Sequence, residues 1–154
     1  MSLGKERGEK LKQQEAAAQA KREWQLQRMP ILKARADQLW ESLIACVRSE
    51  VNDFNASLAD HPQRHLKCDA SANSIEVRKF KYPQEHLTAE LDIPAQTISI
   101  TRISTPAVGD GPRYQAKDSI ALRLDDDNVL YMHHSSRLID QDAAVAILLE
   151  HMMK

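Results

Sequence analysis

Glycine is scarce in this chain, with four residues in 154, at positions 4, 8, 109 and 111. Glycine-rich phosphate loops need several such residues in a short span, so that class of nucleotide site is nearly excluded by count. Cysteine is rarer still: Cys46 and Cys68 are too few for a disulfide scaffold. Aromatic residues make up only 5%, which leaves few platforms on which nucleic-acid bases stack. No apolar run reaches the roughly 18 residues of a transmembrane helix. The N-terminus carries charge where a secretory signal would carry an apolar core, so the expected location is the cytoplasm.

What remains is an ordinary soluble balance, 42% hydrophobic and 28% charged, at the length of one domain. The net charge of −1 conceals an asymmetry. Residues 1–38 hold nine Lys/Arg against five Asp/Glu, whereas residues 125–154 hold two against six. A basic N-terminal end can meet nucleic acid or an anionic surface. It is equally suited to an acidic end of its own chain or of a neighbour.

The strongest pattern is helical. From Pro30 to about Leu58, Trp40, Ile44, Val47, Val51, Phe54 and Leu58 recur in alternating steps of four and three, which is one persistent helical seam. Leu39, Leu43 and Cys46 widen that seam to roughly 160° of the circumference, against the roughly 100° that one core face needs. Something besides a single sheet face should cover this helix. Residues 1–29 carry good helix formers but only Leu11, Trp24, Leu26 and Met29 as larger apolar groups. They are expected to form a charged, flexible or partner-dependent helical extension of a single domain at 30–154. Pro30 fits the first turn of a new helix or kinks a continuous one.

Beyond His61-Pro62 the period changes to two, which means strands. Leu66 and Cys68, Ile75 and Val77, Leu87 to Ile93, Ile98 and Ile100, Tyr114 to Leu124, and Val129 to Met132 mark five or six of them. Their links are too short for crossover helices, so the strands should form an antiparallel meander. Leu87, Leu91, Ile98, Ile100, Ile120, Leu122 and Leu124 are expected in the core. Arg78, Glu90, Ser99 and Arg123 are expected on a polar face, together with Arg102 and Lys117. Ile103 falls on the opposite phase and suggests a bulge or a strand end. In the last segment Asp140 is a plausible N-cap, and Ala143 to Leu149 is apolar all round, as in a helix covered on several sides. The fold class is therefore α+β: a long N-terminal helix, the meander, and a short C-terminal helix, with helices on one sheet face.

Candidate chemistry is thin. His61, His65 and Cys68 are the weak candidates for a metal site, but Pro62 interrupts the spacing and a second ligand pair is missing. Asp125 to Asn128 lacks the alternate-ligand spacing of a calcium loop and reads as a hairpin turn. Ser135 and Ser136 follow two histidines without a nucleophile elbow. Glu90 and Asp92 lie roughly 7 Å apart on one strand face. No cofactor is implied. The leading expectation is a non-enzymatic interaction module, a homodimer or a protein docked on an unidentified partner. Its interface would use Met29, Leu32, Leu39, Trp40, Leu43, Leu148 and Met152. The alternatives are a ligand-binding or enzymatic domain, with its site on the polar sheet face or under the 104–113 loop, and a nucleic-acid accessory protein using the basic N-terminal helix.

Overall fold

The apolar seam forms one long helix, and what precedes it forms another. In the computed structural model, which describes residues 2–106 and 113–154, α1 spans Leu3–Gln27 and α2 spans Met29–Ser57. They are separated by little more than Arg28. The Arg28 amide donates to the Trp24 carbonyl at 2.8 Å, and the Leu32 amide donates to the Arg28 carbonyl at 2.8 Å. Helical hydrogen bonding therefore runs past the joint on both sides, and Pro30, which has no N–H to donate, accounts for the interruption. Ser2 caps α1 through a side-chain bond from the Lys5 amide.

A 3₁₀ turn, Pro62–Arg64, leads into a sheet of seven strands in sequence order. They are β1 (Leu66–Ala70), β2 (Ser74–Lys79), β3 (Gln84–Asp92), β4 (Thr97–Thr105), β5 (Tyr114–Leu124), β6 (Leu130–His134) and β7 (Arg137–Ile139). Every neighbouring pair is antiparallel. The seventh strand exceeds the five or six that the alternation predicts. It is three residues long and follows a two-residue turn in which Ser135 and Ser136 both take positive φ, 50° and 64°. That is the geometry of a tight hairpin whose usual signature is Asn-Gly, so Ser-Ser concealed it. The chain ends in α3 (Gln141–Leu149) and a further 3₁₀ turn, Glu150–Met153. Asp140 caps α3 by accepting from the Ala143 amide at 2.8 Å. No described helix is long and apolar enough to cross a membrane.

One sheet face carries the core. Leu87, Leu91, Ile98, Ile100, Ile120 and Leu122 are buried, as the alternation predicts, beneath α2 and α3. Arg78, Glu90, Ser99 and Arg123 are exposed. Leu124, expected in the core, is half-buried, because β5 ends there and turns. Tyr114 and Ala116 share the inward phase but are exposed. Period two fixes the face of a side chain and not how far the covering helices reach. Nor does β4 carry a bulge at Ile103. Its register runs unbroken from Thr97 to Ser104 on both neighbours, so Ile103 faces outward opposite His86 and Gln115.

The long helix is locked to the sheet edge by Asn55. Its amide donates to the Leu66 carbonyl at 2.9 Å, and its oxygen accepts from the Leu66 amide at 2.8 Å. Removing that side chain leaves both backbone groups of a buried residue without these partners. Asn55→Ala is expected to cost about 1–3 kcal/mol, and Leu122→Ala about 2–5 kcal/mol as a core truncation. Urea unfolding measures both; a change below about 0.5 kcal/mol for either would contradict the packing described.

Candidate functional site

Most of the surplus apolar surface on the helices is covered inside the single chain. Leu32, Trp40, Leu43, Leu148 and Met152, five of the seven residues expected at an interface, are buried here. Met29 and Leu39 are half-buried. For Trp40, Leu43, Leu148 and Met152, which share one buried cluster, the physical reason is α3. It lies against α2 and against the sheet, so the wide arc of α2 meets a helix as well as strands. A substitution such as Leu32→Glu would therefore strike the fold itself.

The other sequence candidates are placed as follows. His61 is exposed, while the Nε2–H of His65 donates to the Leu58 carbonyl at 2.7 Å and closes the end of α2. Cys68 is half-buried. Burial pushes its thiol pKa up, Arg48 pulls it back, and Asp69 adds to the rise, so the thiolate that binds metal is disfavoured. Among the described residues no group of three His, Cys, Asp or Glu is placed to hold a metal ion. The Asp125 carboxylate accepts from the amides of Asp127 and Val129, both at 2.9 Å, and builds the β5–β6 turn. Arg28 then fastens the helical joint to that turn through the Asp125 carbonyl and Asn128 Oδ1. Asp92, half of the two-carboxylate pair, accepts from the Ala95 amide in the β3–β4 turn. Of the 104–113 loop, residues 107–112 lie outside the described residues.

Sequence reasoning missed a polar cluster on the covered face. With β4 regular, Arg102 shares the phase of Ile98 and Ile100, not the polar face assigned to it. Its Nη2 donates to the Ile147 carbonyl in the last turn of α3. A cation there satisfies an end carbonyl and complements the helix dipole. Beside it His134 Nε2 lies 2.7 Å from Asp118 Oδ2, and His151 Nε2 lies 3.2 Å from Glu85 Oε1. Arg102 Nε and Glu85 Oε2, both buried without a protein partner, border one cavity of about 10 Å³, close to the size that holds a single water. A larger hollow of about 360 Å³ lies above Asp118 and His134, with Arg102, Ile147 and His151 also on its lining. Through Arg102 and His151 the group fastens α3 and the turn after it to the sheet. Phase could have revealed it: three polar residues, 102, 118 and 134, sit at inward positions of their strands.

α1 and a groove beside α2 are both open to partners. No residue of α1 is buried over its 25 residues. Between α2 and α3 runs a groove of about 660 Å³ with Cys46, Leu149 and Met153 on its floor and Glu50, Asp142 and Glu150 on its rim. Ala146 lies exposed on the otherwise apolar α3. The chain matches no protein-family model, and no curated protein or solved structure is significantly similar to it.

The Asp118 pair gives an acid-side test. Burial opposes the charged carboxylate, but the hydrogen bonds from His134 and the Ser119 amide and the charges of His134 and Arg102 outweigh it. The pKa consequently lies below that of an ordinary aspartate. A depressed carboxyl stabilises the fold above its unfolded pKa, about 3.9, and ceases to do so as the pH falls through the folded value. Wild type is expected to melt above Asp118→Asn at about pH 5, with the gap shrinking below about pH 4. A gap that persists undiminished to about pH 2 would contradict this assignment.

Proposed function

We propose that this chain is a non-enzymatic interaction module that associates with a second copy of itself through its helical side. The observation that carries the reading is α1, a helix of 25 residues with none buried. A helix that is polar all round bridges to something, is laced by side-chain pairs, or is not stable alone. Here one side-chain pair, Gln19 with Glu23, joins residues of α1 at 3.4 Å. Its exposed large apolar groups, Leu3, Leu11 and Leu26, are spread along its length.

The reading also draws on α3. Its apolar run is covered by α2 and the sheet on two sides, while Ala146 and part of Ala143 and Ile147 still meet solvent. Exposed apolar surface bordered by charge is a common mark of a docking site. A closed two-fold dimer is the commonest way for one chain to cover such a surface with itself.

Sedimentation equilibrium at micromolar concentration tests it. The expected result is a species of twice the 17.5 kDa chain mass that dissociates on dilution. Deleting residues 2–22 should return the protein to a monomer that still unfolds cooperatively, at about the midpoint of the full-length chain at high dilution, because none of those residues is buried within the single chain. A full-length monomer at all concentrations would overturn the reading.

A further inference from the structure

We propose that the groove between α2 and α3 receives the first turns of α1, around Leu3–Lys12, from a second copy, in a reciprocal antiparallel exchange. The proposal rests on the self-association reading and names the surfaces that meet. Charge selects the occupant. The groove carries Glu50, Asp142 and Glu150 on its rim, with Lys154 alone of opposite sign. The stretch Leu3–Lys12 carries Lys5, Arg7, Lys10 and Lys12 against Glu6 and Glu9. The basic end of one copy therefore meets the acidic end of the other, an arrangement that steers association and fixes its direction.

Length gives the register. Hydrogen bonding continues past Arg28, so α1 and α2 form one nearly unbroken rod. The Cys46–Glu50 part of the groove lies about 20 residues beyond that joint, roughly 30 Å along the axis. The same reach in the other direction along α1 arrives at Gly8. A two-fold axis passing near the joint thus lays the Gly8 region of one copy beside the groove of its partner. Within a single chain α1 points away from this groove and cannot fill it.

The side chains of α1 suit that seat. A Cβ added at Gly4 or Gly8 would meet nothing within 4 Å in the single chain, yet a glycine inside an exposed helix costs about 1 kcal/mol relative to alanine. Gly8 lies inside the helix and bears that cost, and Gly4 lies one turn before it, in the first turn of α1. Gly4, Gly8 and Leu11 follow steps of four and three, so they share one face. Two bare positions on that face permit close approach, and Leu11, 59% exposed, supplies the apolar group for the floor.

The test uses the native thiol in the groove. Glu9→Cys, in a full-length chain also carrying Cys68→Ala, places a second thiol on α1 beside Gly8. Within one chain positions 9 and 46 are roughly 50 Å apart along the rod, so a short bis-maleimide can join them only between copies. The expected product is a covalent dimer whose cross-linked peptide contains Cys46, lost when Cys46→Ser is added. Sedimentation of the same variant is run in parallel. A dimer in sedimentation with no link through Cys46 overturns the exchange and leaves self-association standing. A monomer in sedimentation overturns both. As a check independent of thiols, Glu50→Lys with Glu150→Lys, both exposed positions, is expected to weaken dimerisation at least tenfold. An unchanged dissociation constant would contradict the charge argument.

Discussion

The architecture depends on a helix that has no polar side. Over Ala143 to Leu149, α3 offers only apolar groups, and such a helix is stable in water only where neighbours cover it. Its Ala144, Val145, Leu148 and Leu149 share one buried cluster with sheet residues such as Ile100 and Leu122 and with Trp40, Leu43 and Val47 of α2. The breadth of that arc and the absence of a polar side on α3 are two views of one contact. Neither helix would be adequately buried against the meander alone. Ala146, on the remaining side of α3, is exposed and lines the groove.

Apolar burial supplies the driving force but little direction, and the direction comes from a few polar fastenings. Gln141 at the start of α3 donates to Ser42 Oγ at 2.8 Å and to Cys46 Sγ at 3.0 Å, which sets α3 against α2. Arg102 holds the other end of α3 to the sheet. Asn55 fixes α2 to β1, and Arg28 holds the helical joint to the β5–β6 turn. Each such bond contributes only about 1 kcal/mol net, while leaving a buried partner unmet costs more. Together they tie both helices to the sheet and to each other at fixed points.

Much of this fold is legible in the sequence because the two periods differ so clearly. The step pattern from Trp40 to Leu58 locates α2, the alternation from Leu87 to Leu122 locates the inner face, and Asp140 marks the start of α3. The failures are equally physical. Ser135-Ser136 hides a hairpin usually announced by Asn-Gly, so β7 was not visible. Ile103 is an aliphatic residue on the outer face, and its phase suggested a bulge that a regular strand does not need. The same expectation places Arg102 on the polar face and conceals its partnership with α3. The width of the apolar arc shows that a helix needs a second cover, but not whether that cover lies in the same chain. The groove was illegible for another reason: its walls come from segments about a hundred residues apart in the chain. Only its charge was visible, as the acidic bias of the last thirty residues against the basic start.

The functional account turns on whether α1 stands alone in solution. Its cap and its composition favour helix, but most helical stability in proteins comes from packing of an apolar face, and α1 has no buried residue. Amide exchange reads that directly, since unpartnered helix opens with almost no free-energy cost and partnered helix does not. Hydrogen exchange followed by mass spectrometry across a hundredfold range of protein concentration is therefore the most direct measurement. The account predicts that protection of residues 3–12, and of the α2 and α3 segments lining the groove, rises together with concentration while the sheet stays unchanged. Rapid exchange throughout α1, independent of concentration, would contradict it.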